Sequence, residues 1–128
     1  MDTSGFYALL DRTDPFHPTA RFLWQQPEAE IWHLVTTNFV LHESWALIQA
    51  RLGWGAVEDW LTSLASRCEI VWADEPLYQR GAARARQARE RRLSVTDCVS
   101  FEAMLASGCR EVLGDDEHFT QQGFVLLR

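Results

Sequence analysis

The sequence predicts an α/β protein of three layers, with a short central parallel sheet flanked by helices. Two observations carry this. Apolar residues recur at helical spacing through most of the chain, and between those stretches stand brief apolar runs at 34–36, 69–72, 111–113 and 124–127. The runs do not alternate with polar residues, which is the pattern of parallel strands covered on both faces by helices. The length of 128 residues suits one domain, residues 1–128, and 47% hydrophobic with 23% charged residues excludes disorder and coiled coil.

Residues 3–11 carry Phe6, Tyr7, Leu9 and Leu10 and stop at an Asp-Arg-Thr-Asp-Pro turn, a short first helix. A second helix starts near Pro18 and carries Phe22, Leu23 and Trp24. Leu34-Val35-Thr36 reads as a buried strand. From Thr37 or Asn38 as cap, a helix runs to Gly53 with Phe39, Val40, Ala46, Leu47 and Ala50 on one face. Gly53 and Gly55 break the chain before a helix in which Val57, Trp60, Leu61 and Leu64 recur. Strand 69–72 leads into an arginine-rich helix, about 76–91, with a narrow stripe of Leu77, Gly81, Ala85 and Ala88. Residues 94–107 form a further helix closed by Gly108. The strands at 111–113 and 124–127 flank a turn-rich segment. Core packing is the expectation for Trp45 and Trp60, and for Trp24, Trp32 and Trp54 unless they face a partner.

Twelve basic residues against eighteen acidic ones leave a net charge of −6, and every basic residue is arginine. That balance argues against a general polyanion binder. Residues 79–92 nevertheless hold six arginines against one glutamate, a local +5 in an otherwise acidic chain. This patch, with Arg80, Arg84 and Arg91, reads either as a solvated helix face or as a surface for RNA phosphates or an acidic partner. No apolar run approaches the roughly 20 residues that span a bilayer, and no basic-then-apolar leader opens the chain. Cys68, Cys98 and Cys109 form no C-x-x-C pair and read as reduced thiols of a cytoplasmic protein. His17, His33, His42 and His118 lack zinc-ligand spacing. His118 adjoins an aspartate pair, where it closes a turn or reaches a phosphate; no catalytic role is assigned to it.

Acids stand in four suggestive places. Asp2 directly precedes a helix, Glu43 lies on the expected apolar face of its helix, Asp97 falls in the first turn of helix 94–107, and Asp115 and Asp116 follow a strand. In open α/β sheets, ligands bind beyond the carboxyl ends of strands, where helices begin. Carboxylates gathered there repel unless a cation joins them, and Mg²⁺ is a hard ion that prefers oxygen ligands. Such an ion activates water and clamps the oxygens of a phosphodiester in displacement, chemistry that needs carboxylates and no lysine. Each acid also has a structural reading. Asp2 is a good N-cap, Asp115 and Asp116 are good turn residues, and Ser94-Val95-Thr96-Asp97 fits a capping box. Glu43 would be costly to bury without a partner.

In order along the chain come Asp2-Thr3-Ser4, Thr37-Asn38-Phe39-Val40-Leu41-His42-Glu43, Ser94-Val95-Thr96-Asp97-Cys98-Val99-Ser100, Asp116-Glu117-His118-Phe119 and Gly123-Phe124. This ordered set resembles the PIN domain, in particular the compact VapC-like toxins of type II toxin–antitoxin modules, over Asp2 to Leu127. The resemblance implies a PIN-like three-layer fold and an endoribonuclease dependent on Mg²⁺ or Mn²⁺. It implies Asp2, Glu43, Asp97 and Asp116 as the metal-binding catalytic acids. Thr3, Ser4, Ser100 and Asp115 would be auxiliary, Asp115 as a possible fifth carboxylate. An RNA substrate, a VapB-like antitoxin and a homodimer follow as implied partners. The alternatives are an RNA-processing nuclease outside a toxin–antitoxin pair, or a PIN fold kept as a binding module. Phospho-acceptor domains and haloacid-dehalogenase-like phosphatases rely on a lysine that this chain lacks. The family begins with an apolar strand before the first aspartate; here only Met1 precedes Asp2, so the central strand is expected to be stunted or to continue upstream.

Overall fold

The computed structural model describes residues 1–128. Along the chain lie α1 (Thr3–Leu10), α2 (His17–Trp24), β1 (Leu34–Thr37), α3 (Asn38–Leu52), α4 (Trp54–Ser63), β2 (Cys68–Val71), α5 (Glu75–Ala88), α6 (Val95–Ser107), β3 (Glu111–Val112), α7 (His118–Gln121) and β4 (Val125–Leu126). Single 3-10 turns stand at Pro27–Ile31 and Ala65–Arg67. No helix is long and apolar enough to cross a membrane.

The expected single sheet is divided into two parallel ladders. β1 pairs with β2 in the register Leu34 to Cys68 through Thr37 to Val71, and β3 pairs with β4, Glu111 to Val125 and Val112 to Leu126. Met1 and Asp2 bridge them. The Met1 amino group donates to the Val35 carbonyl at 2.8 Å, the Thr36 hydroxyl donates to the Met1 carbonyl at 3.1 Å, and the Asp2 N–H donates to the Leu113 carbonyl at 3.2 Å. Met1 thus reaches β1 and Asp2 reaches the residue after β3, without a ladder to either. Beneath Met1 a cavity of about 360 Å³ opens between β1 and β3, lined by Leu34, Val35, Met104, Val112 and Phe119 among others.

Helices cover the ladders on both sides, completing the three layers. Phe6, Val40, Ile48, Val57 and Trp60 of α1, α3 and α4 form the largest buried cluster. Leu77, Val99 and Ala103 of α5 and α6 pack with Val71 and Ala73 on another. The α5–α6 seam is close: a Cβ on Gly81 would lie 2.5 Å from Val99 Cγ2 and 2.9 Å from the Val99 amide nitrogen. Only glycine fits there.

Three sequence expectations change. The buried stripe of α3 is Val40, Ser44 and Ile48, whereas Glu43, Ala46 and Ala50 face solvent. Alanines carry too little apolar area to choose a face, and the Ser44 hydroxyl is satisfied at the α1–α3 contact by Thr3 Oγ1 at 3.3 Å. The arginine helix stops at Ala88, because Arg89 takes a left-handed φ of 53° and caps it. Arg91 and Arg92 therefore belong to the following turn, and Ala88 is exposed rather than part of the seam. Trp45 is 37% exposed and Trp54 58%, packed edge-to-face at 6.2 Å on the surface, while Trp60 alone of this group is fully buried.

Candidate active site

Asp2 and Asp116 each precede the helix that they help to start, and Asp97 lies in the first turn of its own. Asp2 is the N-cap of α1, and its Oδ2 accepts from the Ser4 N–H at 3.2 Å and the Ser4 hydroxyl at 2.7 Å. Ser4 Oγ in turn accepts the Asp115 N–H at 3.0 Å, which ties the loop after β3 to the first acid. Gly114 lets that loop pass: a Cβ there would lie 2.9 Å from Ser4 Oγ and 3.0 Å from Asp2 Cβ. At the start of α6, Asp97 Oδ2 accepts from both the N–H and the hydroxyl of Ser94 at 2.8 Å. Asp116 Oδ1 accepts the His118 N–H at 2.9 Å, which opens α7.

Asp97, Asp116 and His118 bring one ligand atom each within 4.8 Å of one another. His118 Nδ1 lies 2.8 Å from Asp116 Oδ1. The approach is too bent for a hydrogen bond, so the nitrogen is buried with no partner. On its other side His118 Nε2 stands 3.9 Å from Glu90. Asp2 and Glu43 lie outside this tight group but are coupled to it by charge. Burial pushes the Asp97 carboxyl above its usual range; the Ser94 bonds pull it down, and the charges of Asp2 and Asp116 push it up again. The Glu43 carboxyl is also raised, first by partial burial, then by Asp2 and Asp97, against a lowering contact with Thr96. Glu43 is open to solvent on one side, so it lines the rim of the group and is not buried as expected.

The remaining predicted residues divide. Ser4 supports Asp2 as described. Ser100 is buried, but its hydroxyl donates to the Thr96 carbonyl of its own helix at 2.9 Å rather than to an acid. Asp115 adds no fifth carboxylate: it is exposed, its side chain 3.8 Å from Arg128, and its link to the site is its backbone N–H. Arg84 is engaged within the protein, its Nε donating to Glu102 at 2.8 Å and its NH1 to Gln122 at 2.7 Å. Arg80 stands 3.7 Å from Glu102, and Arg91 is exposed. His118 is the residue that sequence reasoning passed over. Its signal was the Asp-x-His spacing, because an aspartate that accepts the N–H two residues on turns that residue back towards itself.

Two carboxylates, an imidazole with a bare nitrogen, and two more acids close by fit a divalent cation. The carboxylates suit a hard ion and the imidazole suits a transition ion.

The family model for the PIN domain matches residues 1–125. The 23S rRNA-specific endonuclease VapC20 of Mycobacterium tuberculosis, in strains CDC 1551 and H37Rv, is 32% identical over 131 residues, an alignment covering 100% of this chain and 96% of the relative. The crystal structure of Mycobacterium tuberculosis VapC20, a sarcin–ricin loop cleaving toxin, superposes with a TM-score of 0.82 at 29% identity, covering 97% of this chain and 94% of that one.

Proposed function

This chain belongs to the PIN domain family, and from that premise we propose that it is a VapC-like toxin, a metal-dependent endoribonuclease that hydrolyses a phosphodiester bond in a loop of 23S ribosomal RNA. The observation that carries the reading is the meeting of Asp97, in the first turn of α6, with Asp116 and His118, at the turn that opens α7, within 4.8 Å of one another. Asp97, Asp116 and His118 would hold Mg²⁺ or Mn²⁺, with Asp2 beside them. When bound, the ion supplies charge neutralisation at the scissile phosphate and an acidified water.

The protein groups perform the rest. Ser94 and Ser4 fix the rotamers of Asp97 and Asp2, so the carboxylates do not reorganise as charge develops. Glu43, at the solvent rim with a raised carboxyl, is the acid placed to take a proton from the attacking water. The exposed arginines that follow α5, Arg91 among them, face the phosphate backbone.

Residues 1–128 are read as one domain acting in the cytoplasm, paired with a VapB-like antitoxin and as a homodimer. The exposed Trp45–Trp54 pair supports a protein partner, since aromatic side chains are enriched at interfaces. Incubating the protein with ribosomal RNA in Mn²⁺ or Mg²⁺, against EDTA and against Asp97→Asn, tests the activity. A single metal-dependent cut in 23S rRNA is the expected result. Cleavage that persists in EDTA, or in Asp97→Asn, overturns the site.

A further inference from the structure

Asp115, Asp116 and Glu117 are three consecutive acids, and of these only Asp116 belongs to the group with Asp97 and His118. The two that flank it are exposed and share one cation. Nη2 of Arg128 bonds Glu117 Oε1 and stands 3.8 Å from Asp115 Oδ1. Glu117 Oε2 accepts the Thr120 hydroxyl at 3.0 Å, so both oxygens of that carboxylate are engaged. No other arginine lies within ion-pair distance of the run.

The backbone brings Arg128 to this place. The Leu127 N–H donates to the Val112 carbonyl at 2.9 Å, which carries the chain after β4 alongside β3 towards the loop that β3 leads into. Exposed ion pairs contribute little to global stability, and the effect here is local. Three adjacent carboxylates repel one another, and each is a competent ligand for a hard cation. A guanidinium that holds Asp115 and Glu117 leaves Asp116 as the one acid of the run turned to Asp97. Asp115 is moored from the other side as well, its N–H donating to Ser4 Oγ at 3.0 Å.

We propose that Arg128 is a positioning residue of the nuclease: it draws Asp115 and Glu117 towards the residues after β4 and so leaves Asp116 fixed and free for the metal ion. It touches neither the ion nor the substrate. This rests on the metal-site reading above and adds to it the residue that selects which carboxylate of the run binds.

The test is titration of the RNA-free protein with Mn²⁺, followed by electron paramagnetic resonance. Charge alone predicts tighter binding when Arg128 is lost, because a nearby cation repels Mn²⁺. Positioning predicts the reverse. Arg128→Ala and Arg128→Gln should each weaken Mn²⁺ binding about tenfold, the scale of a lost supporting contact to a ligand, and Arg128→Lys should restore most of it. In a protein carrying Asp115→Asn and Glu117→Gln, which leaves no flanking charge to hold, adding Arg128→Ala should change nothing further. The slope of log RNA affinity against log salt, measured in EDTA, should match wild type in every Arg128 variant. Mn²⁺ binding that is unchanged or tighter in Arg128→Ala and Arg128→Gln overturns the proposal, as does an equal loss in the neutralised background. A salt slope flattened by about 1 with Mn²⁺ affinity intact also overturns it and reassigns Arg128 to an RNA phosphate. If Mn²⁺ binding is lost in Asp97→Asn while the Arg128 variants match wild type, the metal site stands without this positioning. Wild type that binds no Mn²⁺ refutes both.

Discussion

Ser94 and Asp97 bond to each other in both directions. Asp97 Oδ2 accepts the Ser94 N–H and hydroxyl at 2.8 Å, and Ser94 Oγ accepts the Asp97 N–H at 3.1 Å. The capping box and the proposed metal-binding role therefore do not compete for this residue. Oδ2 is held by the cap, and Oδ1 takes no hydrogen bond. The cap fixes the rotamer that brings Asp97 to Asp116 and His118, so local helix chemistry preorganises the site.

Replacing Asp97 by Asn separates charge from shape. The folded carboxyl is raised above its unfolded value, so between those two values the native state binds more protons than the unfolded one. Apo stability then falls as pH rises from the ordinary carboxylate range through the raised value, and the full penalty stands at neutral pH. Asparagine keeps an acceptor for Ser94 and removes the charge. The metal-free variant should melt a few degrees above metal-free wild type at pH 7.5, with the gap closing near pH 4. Scanning calorimetry in EDTA measures this, and a variant that melts lower throughout would mean that the cap needs the carboxylate charge.

Metal linkage provides the complementary test. An ion that binds only the native state stabilises by mass action, about 2.7 kcal/mol at a hundredfold excess over Kd. Mn²⁺ should raise the melting temperature of wild type, and Asp97→Asn or Asp116→Asn should lose most of that gain together with at least ~100-fold in cleavage. His118→Ala should lose more of the response to Mn²⁺ than to Mg²⁺, because the imidazole favours a transition ion. Equal losses for the two ions would remove His118 Nδ1 from the donor set.

The legible parts of this fold were those that local chemistry decides. Ser94, Thr37 and Gly108 are capping residues whose partners lie within a few positions, and the order of helices and apolar runs follows from periodicity. What failed was decided by tertiary contact. The face of α3 turned on Ser44 meeting Thr3 across 41 positions, which no local pattern announces. Arg84 looked like a free cation because Glu102 and Gln122 lie far along the chain. His118 became part of the site through a two-residue turn at Asp116, a local signal without an apolar pattern to draw attention to it. Glu43 was expected on a buried apolar face, and it stands at the solvent rim instead, within reach of the charges of Asp2 and Asp97.

The two arginines Arg84 and Arg91 should behave oppositely. Arg84 pairs with Glu102 at 2.7 Å, bonds Gln122, and lies 5.9 Å from the Phe101 ring centre, joining α5, α6 and the end of α7. Arg84→Ala leaves the partly buried Glu102 carboxylate with only Arg80 at 3.7 Å and should cost about 1 kcal/mol of stability, with RNA affinity of the folded fraction unchanged. Arg91 is exposed in the turn after α5, so Arg91→Ala should leave the melting temperature alone and flatten the slope of log affinity against log salt by about 1. Thermal melts and salt-dependent anisotropy on both variants check this; an Arg84→Ala protein of normal stability and weakened RNA binding would reverse the assignment.

Gly114 tests how closely Asp2 must be held. A Cβ at this position would lie 2.9 Å from Ser4 Oγ, 3.0 Å from Asp2 Cβ and 3.4 Å from Asp2 Oδ2. None of these atoms is free to retreat. Ser4 Oγ is bonded to both Asp2 and the Asp115 N–H, and the Asp2 backbone is tied to the Leu113 carbonyl. Gly114 has no left-handed φ, so alanine there is a purely steric insertion. Overpacking of this kind costs about 1–3 kcal/mol, and a displacement approaching 1 Å at a reacting group can cost about 100-fold in rate. Gly114→Ala should therefore lower cleavage by one to two orders of magnitude, roughly, while the protein remains folded by circular dichroism. Adding Ser4→Ala clears the contact with the hydroxyl but leaves the one with Asp2 Cβ, so the double variant should recover stability without recovering full activity. Undiminished cleavage by Gly114→Ala would show that the first acid tolerates displacement and that its anchoring by Ser4 and the Asp115 amide serves the fold alone.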